Sequence, residues 1–162
     1  MKSPENTKNL VILLKDLARI NKDRVEGYRT ATKQAGNYPD LSSIFHEKSK
    51  QSEDFINELQ EQISELEGEN ATETTFAGKI FRLWMEIKNT FKANNTTSIL
   101  DSCEFGEAAA IKAYDEALHS DVKIPANIRQ QVLEQQTAIK KSQELIRKYG
   151  NLTFYRYNNS FT

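Results

Sequence analysis

Apolar positions recur along this chain at the spacing of one helix face, i, i+3, i+4 and i+7, and they do so in four long stretches. The first covers residues 5 to 36. Its stripe is Leu10, Leu14, Leu17, Asn21, Arg24, Tyr28, Ala31 and Ala35, and Gly36-Asn37 with Pro39 predicts a glycine-type stop. The second runs to about Glu67 on Leu41, Phe45, Lys48, Ser52, Phe55, Leu59, Ile63 and Leu66. Asp40, Ser42 or Ser43 are its candidate caps, and Gly68 is its stop. The third covers about 97 to 120, on Leu100, Glu104, Glu107, Ile111, Tyr114 and Leu118. The fourth covers about 126 to 149, on Ile128, Val132, Gln135 with Gln136, Ile139, Gln143 and Ile146, with Gly150 as its expected end.

The links decide how these helices connect. Those between the first and second, and between the third and fourth, are only a few residues long and predict antiparallel neighbours. Residues 68 to 96 are long enough to travel the length of a bundle. They contain an amphipathic piece from Phe76 to about Phe91, with Ile80, Leu83, Trp84 and Ile87 on one side. The expected fold is therefore all-α. It is a ferritin-like four-helix bundle, with a crossover that carries a short helix between helices two and three. Residues 1–150 form the expected single domain. Residues 151–162 form an extension holding Phe154, Tyr155, Tyr157 and Phe161.

Composition narrows the function classes. The 162 residues suit one domain, and 22 basic against 23 acidic residues leave a net charge of −1. That balance gives no general attraction to nucleic acid or to an anionic membrane. The longest strongly apolar run, Leu10 to Leu14, is far short of a membrane span. One cysteine excludes an intrachain disulfide and fits a reducing compartment, so a cytoplasmic location is expected.

The candidate chemistry lies where the stripes turn polar. Glu104 and Glu107 occupy core positions on helix three, and a carboxylate there needs a counter-charge, a metal or a proton. Counting from the turns places them level with Lys48 to Ser52, with Arg24 to Tyr28 and with Ile139 to Gln143. The polar layer is thus Arg24, Tyr28, Lys48, Ser52, Glu104, Glu107 and Gln143, and helix four also offers Ser142 at this height. One reading is a di-iron carboxylate site. That chemistry takes a glutamate from each of two helices and a Glu-x-x-His pair from each of the other two. The only histidines are His46 and His119, and the one Glu-x-x-His, Glu116 with His119, points off the core stripe. The favoured reading is an internal ion-pair layer. In it Arg24 and Lys48 neutralise Glu104 and Glu107, while Tyr28, Ser52 and Gln143 satisfy what remains. Cys103 reads as a small buried apolar side chain, because nucleophilic use needs a histidine beside it. A small-molecule pocket lined by Tyr28, Gln143 and Tyr114 is a third reading of the layer.

The segment Cys103-Glu104-Phe105-Gly106-Glu107-Ala108-Ala109, followed by Lys112-Ala113-Tyr114, resembles a Cys-Glu-x-Gly-Glu-Asp-Ala motif. That motif belongs to the bacterial PA2169 family of four-helix-bundle proteins (domain of unknown function 2383), within the ferritin-like superfamily. Lys22-Asp23 with Gly27-Tyr28 and Ala31, Glu58-Leu59, Leu83-Trp84 with Ile87-Lys88, and Gln135 are similar to further family positions. The resemblance spans roughly residues 8 to 149 and implies the ferritin-like fold. It implies no activity. The family often has a histidine where this chain has Gln143.

The expected function is non-enzymatic, through oligomerisation or the binding of a protein partner, including a structural role in stress. A homodimer is the expected assembly, with Phe81, Phe91 and Phe105 as candidates for its surface. No cofactor is expected. The alternative is iron or another divalent metal at Glu104 and Glu107, with further ligands from a second chain.

Overall fold

Helix α1 (Pro4–Gln34) starts where its sequence supplies a cap. The Ser3 hydroxyl accepts the Asn6 N–H at 3.1 Å, and Pro4 sits in the first turn, where its missing N–H costs nothing. Three further helices follow: α2 (Pro39–Glu67), α3 (Thr96–Leu118) and α4 (Ala126–Asn159). The structure is a computed structural model, and it describes residues 3–68 and 96–159, with side chains for all of these but 96–98 and 153–159. The amphipathic piece expected at 76–91, with Phe81 and Phe91, and the aromatic side chains of the C-terminal extension lie outside what is described.

The contacts fix the direction of each helix. Arg24 and Asn21 of α1 bond Glu107 and Tyr114 of α3, so numbers rise along one as they fall along the other. Gln51 and Glu58 of α2 meet Ser142 and Gln135 of α4 in the same antiparallel sense. Helices α2 and α3 therefore run in parallel and need the long link between them. The α1–α2 and α3–α4 pairs carry most of the packing, α1 also lies against α3, and α2 meets α4 along a thinner seam.

Three expected ends are corrected. Gly36 does not stop α1 in a left-handed turn. Ala35 is the C-cap at φ −91°, and the Tyr38 N–H closes the turn on the Ala35 carbonyl at 2.8 Å. None of Asp40, Ser42 and Ser43 caps α2. Pro39 takes its first turn and holds Tyr38 out of the helical region, leaving no side-chain cap. Gly150 does not end α4, which continues to Asn159. An interior glycine costs a helix only about 1 kcal/mol relative to alanine, and no proline follows to break it. Gly68 does end α2, and at φ 54° it is the one glycine with a positive φ among the described residues.

The core is two apolar clusters with a polar storey between them. The larger is built from Leu10, Leu14 and Leu17 of α1, Leu59 and Ile63 of α2, Ala110 and Tyr114 of α3, and Val132 and Ile139 of α4. The smaller joins Tyr28 and Ala31 to Leu41, Phe45, Leu100, Cys103 and Ile146. Among the described residues, no helix is long and apolar enough to cross a membrane.

Candidate functional site: a closed polar layer

Arg24 is the hub. It sits on the apolar stripe of α1 with no exposed surface, and so does Glu107 on the stripe of α3. The guanidinium meets the carboxylate through two parallel bonds, Nε to Oε1 at 2.6 Å and Nη2 to Oε2 at 2.9 Å. This bidentate fork is the geometry in which an arginine–carboxylate pair is strongest. The remaining guanidinium edge donates to α2, from Nη1 to the Ser52 hydroxyl at 2.7 Å and from Nη2 to Gln51 Oε1 at 3.0 Å. Ser142 of α4 reaches the same layer, its hydroxyl 3.4 Å from Gln51 Oε1 and 3.1 Å from the Ala138 carbonyl of its own helix. Four helices thus share one layer, at the height that counting from the turns places it.

The rest of the predicted set divides. Tyr28 is fully buried, with its ring centre 5.3 Å from the guanidinium carbon and 5.9 Å from the Phe45 ring. Lys48 does not enter the layer as a counter-charge. Its side chain is largely buried, and its amine lies 3.7 Å from the exposed carboxylate of the neighbouring Glu47 instead. Glu104 is not the second buried carboxylate either. It pairs with Arg147 of α4 at the bundle's rim, where the arginine side chain is 55% exposed. Residues 104 and 107 lie about 60° apart around the helix, enough to turn one to the core and the other to the edge. Gln143 takes no part in the layer's hydrogen bonds among the described residues, and its neighbour Ser142 faces inward in its place. Glu104→Gln should therefore change unfolding free energy by no more than about 1 kcal/mol in urea titration, as exposed pairs do.

A second set of bonds was not assembled from the sequence. Ser52 donates to Asn21 Oδ1 at 3.1 Å, and Asn21 Nδ2 donates to the Tyr114 hydroxyl at 2.8 Å. Tyr114 donates to Gln135 Oε1 at 2.7 Å, and Gln135 Nε2 donates to Glu58 Oε2 at 2.8 Å. Asn21, Tyr114 and Gln135 all interrupt apolar stripes, which was the available signal. Their lateral pairing was not readable.

Burial and charge set the proton affinities. Burial pulls the Arg24 guanidinium down, but the charge and hydrogen bonds of Glu107 outweigh it and hold the cation more firmly than usual. Burial, then the Glu107 charge, raises the Cys103 thiol and the Tyr28 phenol well above their ordinary values of 9.0 and 10.0. Burial also raises Tyr114, against the Asn21 hydrogen bond. These groups stay neutral in the fold at a pH where the unfolded chain ionises, so the unfolded state binds fewer protons there. Their contribution is fully present below about pH 9 and falls as pH rises. The melting temperature should drop between pH 8.5 and 10.5, and less steeply in Tyr114→Phe. A fall of equal slope in that variant would remove Tyr114 from the explanation.

A di-iron centre does not fit these donors. Both oxygens of Glu107 are engaged by a cation, Glu104 faces the rim, and His119 bonds its own helix at the Asp115 carbonyl. Among the described residues, no three His, Cys, Asp or Glu side chains are grouped to hold a metal ion. Nor do Tyr28, Gln143 and Tyr114 line an open pocket, since both tyrosines are fully buried in packed side chains.

Fold and layer together define an all-α four-helix bundle closed around a buried arginine–glutamate pair. The chain belongs to the family described as domain of unknown function (DUF2383), whose model matches residues 10–120. The match takes in Arg24, Ser52, Glu107 and Tyr114 and stops before α4. Neither a curated protein nor a solved structure matches the chain.

Proposed function

We propose that this protein is a non-enzymatic bundle of ferritin-like topology that acts through its surface, as a homo-oligomer, most simply a dimer, or by binding a protein partner. The observation that carries this reading is the Arg24–Glu107 fork. The core position where a ferritin-like oxidase would keep a metal-binding carboxylate open is closed here by a guanidinium. The layer then fixes which helix faces meet and at what height, a role for which buried polar groups are best attested. The parallel α2 and α3 with their long link support the ferritin-like connection. Phe105 and Leu152, 54% and 56% exposed, are apolar side chains on the outside that an interface would cover. A single buried thiol supports a cytoplasmic setting.

Two measurements on full-length protein purified without chelator test this. Light scattering after size exclusion should give a mass above the 18.6 kDa monomer. Elemental analysis should find no stoichiometric transition metal. A metal ion bound at one or more per chain, and lost in Glu107→Gln, would overturn the non-metal reading. A strict monomer would leave partner binding as its only surface role.

A further inference from the structure

One run of hydrogen bonds leaves the layer and points one way along its whole length. Arg24 can only donate, so Ser52, which takes a guanidinium N–H at 2.7 Å, must turn its single proton onward to Asn21 Oδ1 at 3.1 Å. That fixes the Asn21 amide with its nitrogen toward Tyr114, at 2.8 Å. The same nitrogen also donates to the Leu17 carbonyl at 2.9 Å. The Tyr114 hydroxyl accepts from Asn21 and has one proton left, which goes to Gln135 Oε1 at 2.7 Å. The Gln135 nitrogen then faces Glu58 Oε2 at 2.8 Å. An ionised carboxylate can only accept. A donor-only group at one end and an acceptor-only group at the other therefore set every rotor and amide between them.

We propose that this one-way chain makes Glu58, at the half-buried α2–α4 seam, a control point for the core, so that what Glu58 accepts sets the hydrogen bonding of the Tyr114 hydroxyl one residue beyond its own contact. The ends of the chain differ in access. Ser52, Asn21, Tyr114 and Gln135 are at most 1% exposed, whereas Glu58 is only partly covered and lies where two helices meet thinly. A donor or cation arriving at the seam competes with Gln135 for the carboxylate, and Gln135 can answer only by loosening or turning its amide. A turned amide presents a nitrogen to Tyr114, whose hydroxyl already accepts from Asn21 and would lose its only acceptor. Chains of this kind polarise each member, so a change at one end is felt along its length.

The test uses full-length protein with carbon-13 at the tyrosine Cζ, a nucleus that reports hydrogen bonding of the phenol oxygen. Tyr114→Phe assigns the resonance among the six tyrosines. Glu58→Ala should move the Tyr114 signal although no bond joins the two residues. In a Gln135→Leu background the same substitution should move it much less, by the through-space effect of the Glu58 charge alone. No movement in the first case, or equal movement in the second, overturns the proposal. A thermal series adds an independent reading. Glu58→Lys puts a donor where only an acceptor fits, and should lower the melting temperature clearly further than Glu58→Gln. Equal losses for the two would contradict a directional chain.

Discussion

Arg24→Met lowers the melting temperature by roughly 6–20 °C. The estimate follows from the 3–5 kcal/mol or so that removing one partner of a buried pair costs, at about 2–4 °C per kcal/mol for a domain of this size. Both side chains have no exposed surface, so neither water nor salt replaces the lost partner. Methionine keeps most of the stem's packing and removes only the charge and its donors. Four bonds go with it: two to Glu107, one to Ser52 and one to Gln51. Glu107 is then a buried carboxylate without its cation, with Tyr28 and Cys103 beside it. Differential scanning calorimetry near neutral pH reads this directly. A loss within a degree or two would mean that the pair is solvated in practice.

Tyr114→Phe is the second large effect, expected at about 2–4 kcal/mol. The ring stays, so the packing around it in the larger core cluster stays. What goes is one oxygen that satisfies two buried groups, the Asn21 amide nitrogen and the Gln135 carbonyl oxygen. Each orphaned buried group costs about 1–3 kcal/mol. Asn21 keeps its bond to the Leu17 carbonyl, which places its share at the low end. Urea unfolding of both proteins checks the size. A neutral outcome would show that the two groups find other partners by repacking.

Particular residues show how far the sequence carried. Arg24, Ser52 and Glu107 were legible because helical periodicity gives a face and short turns give a height. Those two coordinates sufficed to bring three helices to one storey. Lys48 and Glu104 were misassigned for one physical reason. Periodicity places a Cβ, and a long side chain ends several ångströms away, at Glu47 for Lys48 and at Arg147 for Glu104. Asn21, Tyr114, Gln135 and Glu58 failed in another way. Each was visible as a polar residue, but chaining them needs the distances between helices, and a periodicity count carries none. Ser142 against Gln143 is the sharpest case, since one residue of registration turns a side chain by about 100° and decides which of the two enters the layer. The ends of α1 and α4 show that a glycine permits a stop and does not dictate one.

Arg24 and Glu107 are the main counter-charges of each other in the buried layer. A double-mutant cycle measures their coupling: urea unfolding of the native chain, Arg24→Met, Glu107→Leu and the double variant. The account predicts that the double variant is more stable than either single one, because it leaves no buried charge alone. Single losses that simply add in the double variant would contradict it.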